Sequence, residues 1–132
     1  MWVYEQCSGR LLHNTELAGV GYAGYGEGKN NSWLETAISI GPIPHGAWAI
    51  GGPPRNTKAH GPYVLRLTPD KSTNTYGRAG FLIHGDSAKA PGTASRGCII
   101  VARAVRVAVW QSGDRDLRVV TGSTGEQDER SA

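Results

Sequence analysis

Hydrophobic and polar positions alternate in short stretches along most of this chain, and one segment alone breaks that rhythm. Trp2, Val3 and Tyr4 lead into a Ser8-Gly9 turn followed by Leu11 and Leu12. This predicts a β-hairpin, because Ser-Gly supports a tight reversal. The stretch IGPIPHGAWAIGGPPRN carries prolines at 42, 44, 53 and 54, with Trp48 and Ile50 set between small residues. It predicts a rigid turn entering an edge strand, since proline has no N–H to give to a central ladder. Tyr63, Leu65 and Leu67 alternate with Val64 and Arg66 as far as Pro69-Asp70, a strand closed by a turn. Further short strands are predicted at 80–84, 97–100 and 117–120. After Cys98 the period changes: Val101, Ala104, Val105, Ala108 and Val109 fall at the spacing of one apolar helix face, and Gly113 supplies the stop. From Gly122 onward, GSTGEQDERSA offers nothing apolar to bury, so a disordered C-terminal tail over 122–132 is expected behind one domain of residues 1–121.

Composition agrees with that outline. A chain of 132 residues suits a single domain, and 19 glycines with 7 prolines favour a turn-rich, mostly β fold. The 14 Lys and Arg are scattered among 11 acids for a net charge of +3, with no basic block or stripe, which argues against nucleic acid as a partner. The start, MWVYEQCSGRLLHN, has neither the basic region nor the apolar core of a secretory signal. No apolar run is long enough to span a bilayer. The expectation is a chain made in the cytoplasm without a signal peptide and without membrane insertion. GVGYAGYGEGKNN matches G-x-G-x-x-G at Gly19, Gly21 and Gly24, but more glycine and asparagine follow, so no helix can open there to meet a pyrophosphate. It reads as a surface loop. Two cysteines, Cys7 and Cys98, without a C-x-x-C spacing indicate neither a disulfide scaffold nor structural zinc.

The chemistry concentrates in FLIHGDSAKAPGTASRGCII, residues 81–100. Two apolar strands joined by a loop of about a dozen residues would form a long-looped hairpin or neighbouring strands, and loops of that length are often functional. Period-two alternation puts Leu82 with His84 on one face and Cys98 with Ile100 on one face of the other strand. A cysteine attacks as thiolate, and a nearby imidazole can take its proton and lower the thiol pKa in the resulting ion pair. Gly97 lets a substrate carbonyl approach the backbone, and amides around Cys98 could stabilise an oxyanion. A helix beginning just after Cys98 would also favour the thiolate. The same residues equally suit a thiol buried as a small hydrophobe and a strand-end histidine with ordinary hydrogen bonds.

HGDS followed by SRGC resembles the signature of the L,D-transpeptidase family with the YkuD-like catalytic domain, a histidine-glycine pair upstream of a Ser/Thr-His-Gly-Cys box. His84, Gly85, Ser95, Gly97 and Cys98 carry the match. GPIPHGAW and RAGFLIHGDS are more specifically similar to the small type VI secretion L,D-transpeptidase effectors, and the resemblance spans roughly residues 2–121. Arg96 departs from the broad family, many of whose members have a second histidine there.

The resemblance implies a β-sandwich with one amphipathic helix after the catalytic cysteine, acting on peptidoglycan tetrapeptide stems through a Cys98 thioester with His84 as base. It implies no cofactor and no metal. An immunity protein and type VI secretion components would be the partners, and the periplasm of a target bacterium the place of action. Arg78 and Arg96 are candidates to grip stem carboxylates, since a guanidinium can do so bidentately. Asp86 and Ser87 are loop-ordering or substrate-binding candidates, and Ser95 gains from its place in the box. Three other readings compete: a resident or phage-borne L,D-transpeptidase forming 3,3 cross-links, a noncatalytic wall-binding module, and a zinc hydrolase using His84, Asp86 and Cys98. The last lacks a third histidine at a customary spacing.

Overall fold

A computed structural model describes residues 1–122; the expected tail beyond Gly122 lies outside the described residues. Among the described residues the fold is mostly β, with one α-helix following Cys98 and two short 3₁₀ helices at Gly26–Gly28 and Ser32–Leu34. The strands are β1 (Trp2–Glu5), β2 (Arg10–His13), β3 (Glu16–Val20), β4 (Gly46–Thr57), β5 (Gly61–Pro69), β6 (Leu82–His84), β7 (Ile99–Ile100) and β8 (Asp116–Val120), and the helix is α1 (Arg103–Gln111). They form one mixed sheet in the order β3-β2-β1-β8-β4-β5-β6-β7.

This sheet curls until its two edges meet. Just past β3, Tyr22 and Ile100 exchange backbone hydrogen bonds of 3.1 and 2.8 Å, so the chain leaving one edge pairs with the strand at the other. Closure removes open edges that would otherwise template association. It requires glycine at 21, where a Cβ would lie 1.7 Å from the Ile100 carbonyl oxygen. The concave face holds the core: Trp2 and Tyr4 from β1, Trp48 and Ile50 from β4, Leu65 and Leu67 from β5, and Leu117 and Val119 from β8, each alternating with more exposed neighbours. Trp48 meets Phe81 edge to face at 5.2 Å. Burying a side chain such as Leu65, Ile83 or Ile99, all fully enclosed, stabilises the fold by roughly 1.5–3 kcal/mol each.

The hairpin at Ser8-Gly9, the strand ending at Pro69 and the last strand at 116–120 stand where the sequence pattern puts them. Other expectations change. Strand β4 is not an edge strand: Gly46–Ala49 pair with β8 on one side, and Trp48 onward pairs with β5 on the other. Its prolines are accommodated because the β4–β5 register shifts between Gly51 and Arg55, where no regular ladder asks for their missing N–H groups. The glycine-rich segment is not loop throughout, since β3 runs through Gly19 to Val20.

Strands β6 and β7 are neighbours but parallel, with Ile83 opposite Ile99 and His84 opposite Ile100, so they do not form a hairpin. The helix starts at Arg103, with β7 between it and Cys98, so it does not begin directly after the thiol. Its inward face is also rotated from the predicted one. Ala104 and Ala108 are exposed, while Arg106 and Val109 are buried. Pattern alone cannot foresee a core-facing arginine, because the reason for it is a cavity formed by distant strands.

Candidate active site

His84 ends β6 and Cys98 immediately precedes its parallel neighbour β7, so register brings the two residues to the same end of the sheet. Both are buried, His84 at 2% exposure and Cys98 at 8%. They line a common cleft of about 270 Å³ together with Ile38, His60, Gly80 and Arg96. The His84 ring is oriented by its Nδ1–H, which donates to the Gly85 carbonyl at 2.8 Å. That bond fixes the tautomer and leaves Nε2 as the basic nitrogen. Nε2 is buried and has no hydrogen-bond partner among the described residues. His60 packs against the ring, with centroids 4.4 Å apart.

Burial governs the protonation of both groups. It pushes the Cys98 thiol above its ordinary value; the N–H groups of Leu82 and Cys98 and the charge of Arg78 act in the opposite direction without overcoming it. Burial also lowers the His84 pKa, partly offset by the Gly85 carbonyl and reinforced by His60 and Arg106. Both shifts favour the neutral thiol and neutral imidazole over the ion pair that general cysteine chemistry suggests.

The Ser-Arg-Gly-Cys box folds around Ser95, which is fully enclosed. Its Oγ donates to the Cys98 carbonyl at 2.6 Å and accepts from the N–H groups of Gly24 at 2.8 Å and Gly97 at 3.0 Å. The Gly97 amide is thus already engaged, and the amides that face the sulfur are those of Leu82 and Cys98. Gly97 adopts φ +134°, and a Cβ there would meet Arg78 Nη2 at 2.6 Å.

Arg78 is buried behind the box. Its guanidinium donates to the carbonyls of Glu35 (2.5 Å), Pro42 (2.9 Å), Gly41 (2.8 Å) and Arg96 (3.2 Å). It staples the GPIP segment to the cysteine loop while placing positive charge near sulfur. Arg96 is exposed, with its guanidinium 4.3 Å above the Tyr25 ring at the rim of the cleft. Asp86 accepts from the Tyr22 hydroxyl at 2.6 Å and from the amides of Ser87 and Gly92 at 2.8 and 3.1 Å. Burial would raise its pKa, but these donors and Lys29 hold it below the usual range. Ser87 Oγ accepts from the Ala90 amide at 3.0 Å, a turn within the same loop. Cys7 and Cys98 are both unbridged. Among the described residues no three of His, Cys, Asp and Glu are grouped to hold a metal ion.

Two neighbours of His84 escaped the sequence reading. His60 comes from the turn before β5, and no motif links it to His84. Arg106 lies on α1 among apolar residues at helical spacing, where a basic residue reads as solvent-facing. Both line a second cavity, of about 870 Å³, on the far side of His84.

This layout defines a class: a small, mostly β domain in which a buried histidine and a buried thiol line one cleft. The chain belongs to the Tlde1 domain family, whose model matches residues 18–123 and so takes in every site residue named above. Membership makes it a type VI secretion effector of the L,D-transpeptidase type, an enzyme that modifies peptidoglycan. No curated protein and no solved structure matches the chain.

Proposed function

We propose that the protein cleaves or exchanges the terminal D-alanine of peptidoglycan tetrapeptide stems through a Cys98 thioester. The observation that carries this reading is one cleft lined by both His84 and Cys98, with His84 Nε2 buried and unpartnered among the described residues. Cys98 Sγ attacks the carbonyl between the L-centre of the diamino acid at position three and D-alanine as His84 Nε2 takes the thiol proton. The tetrahedral oxyanion is stabilised by the amides of Cys98 and Leu82, which approach the sulfur. Collapse breaks the C–N bond, and His84 returns the proton to the departing D-alanine amine. Water, a free D-amino acid or a second stem amine then releases the acyl group, giving hydrolysis, exchange or a 3,3 cross-link.

Delivery into the periplasm of a competing bacterium, with an immunity protein protecting the producer, completes the reading. The test is mass analysis of disaccharide tetrapeptide incubated with the protein. Loss of D-alanine, exchange or dimer formation is expected, abolished by Cys98→Ala, by His84→Ala and by iodoacetamide, and unaffected by chelator. A wild type yielding none of these products, or products that persist in Cys98→Ala, overturns the mechanism. Growth arrest on directing the wild type, but not Cys98→Ala, to the bacterial periplasm tests the antibacterial role; a harmless wild type overturns it.

A further inference from the structure

The larger cavity, beyond His84, carries a charge arrangement that the thiol chemistry does not use. Arg106 reaches it from the inward face of α1 and is 3% exposed. Its guanidinium makes one long hydrogen bond, from Nη1 to the Val101 carbonyl at 3.4 Å. Its buried Nε has no partner, and no carboxylate pairs with it among the described residues. Arg103 lines the same wall and adds a second positive charge. Asp86 is the acid lining the cavity, and its oxygens already accept from Tyr22, Ser87 and Gly92.

A buried guanidinium without a counter-ion is costly to a fold, and here two further features preserve it rather than relieve it. Gly85 keeps room for it, because a Cβ at that position would lie 2.6 Å from Arg106 Nη1. The N-terminus of α1 opens on the same space: its N-cap is Ala102, which has no side chain able to cap, and no acid stands in the first turn. Backbone N–H groups and partial positive charge at a helix start add to the attraction for an anion. The two arginines, the uncapped helix and the enforced gap at Gly85 converge on one chemistry.

We propose that this cavity is a carboxylate-binding subsite, anchored by Arg106 and assisted by Arg103 and the α1 N-terminus, which holds an anionic end of the peptide beside His84. The inference rests on the stem-peptide reading above. Two carboxylates flank the scissile bond in such a substrate, the terminal one of D-alanine and the side-chain one of the diamino acid. A planar guanidinium pairs with either through two parallel N–H···O bonds.

The experiment compares three tetrapeptides: the free acid, one amidated at the C-terminal D-alanine, and one amidated at the diamino-acid side chain. On the wild type, kcat/KM is expected to fall about 10- to 100-fold for one amide, the range of a hydrogen bond to a charged group, and that amide identifies the carboxylate held. Arg106→Gln should lose a similar factor on the free acid, mostly in KM, and little more on the discriminating amide. Arg106→Lys should recover part of the loss. Arg103→Gln, at an exposed position, should reduce the discrimination about threefold without affecting folding, and it decides the matter if Arg106→Gln does not fold. Calorimetric binding of the same peptides to Cys98→Ala supplies a readout independent of turnover. Wild-type turnover that is equal on all three peptides overturns the subsite while leaving the thiol mechanism standing. Absence of turnover on any peptide strikes the mechanism, and the binding arm then judges the subsite: equal affinity for acid and amides, or no binding, overturns it.

Discussion

Replacing Ser95 by alanine tests whether the cysteine box is held as described. The hydroxyl is fully enclosed and makes three hydrogen bonds, to the Cys98 carbonyl and from the Gly24 and Gly97 amides. Alanine removes all three and leaves two donors and one acceptor buried. A typical intramolecular hydrogen bond contributes about 1 kcal/mol net, and an orphaned buried group costs about 1–3 kcal/mol. The expected loss is therefore about 3 kcal/mol at the least, roughly a 150-fold fall in the folding equilibrium constant. For a chain of this size that corresponds to a drop of about 10–15 °C in Tm. The assay is urea unfolding followed by tryptophan fluorescence, with Thr36→Ala as an exposed control expected to stay within about 0.5 kcal/mol. Because the same hydroxyl fixes the Cys98 carbonyl, kcat should also fall at temperatures where the variant remains folded. A loss below about 1 kcal/mol would contradict this, since it would mean that the three partners find replacements and the hydroxyl does not hold the Cys98 loop.

The pH dependence of kcat/KM follows from the two pKa directions. His84 must be neutral to accept the thiol proton, and burial lowers its pKa from the usual 6.5, so activity should hold from neutral pH down through 6.5 and fall only below it. Any limb set by thiol ionisation should lie above the usual 9.0, and a half-maximal acid limb above pH 6.5 would contradict the buried neutral pair. At the closure of the sheet, Gly21→Ala should cost more than about 4 kcal/mol or prevent folding, because the new Cβ falls 1.7 Å from the Ile100 carbonyl oxygen. Gly26→Ala, with φ +56° and open space around it, should cost only about 1–2 kcal/mol; similar denaturation midpoints for the two variants would show that the edges need not meet there.

The chain's own pattern determined a good deal. Alternation in Tyr63–Leu67 marked a strand because side chains on a pleated backbone point to opposite faces in turn, and the Ser8-Gly9 reversal marked the first hairpin. The spacing after Val101 marked a helix, and His84-Gly85 with Ser95-x-Gly97-Cys98 marked the candidate site through their resemblance to the family signature. What escaped was decided by partners distant in sequence. Period two is the same in parallel and antiparallel strands, so the parallel pairing of β6 with β7 depended on how the sheet curled. Proline predicts the absence of a ladder bond but not where a register shift will excuse it, which is why β4 could enter the sheet interior.

Tertiary structure alone decided the electrostatics. A cysteine near a histidine suggests an ion pair until burial of both is known, and burial here shifts each toward its neutral form. Helical spacing identified α1 but not its rotation, and rotation turned Arg106 inward rather than to water. Its neighbours His84 and Gly85 come from β6 and the loop after it, brought there by the closure of the sheet. Local propensity and periodicity act within a few residues, whereas desolvation and the meeting of charges depend on which distant segments pack together. Most elements and the segment that carries His84 and Cys98 were therefore legible in the sequence, and the burial of both residues and the cationic cavity lined by Arg106 were not.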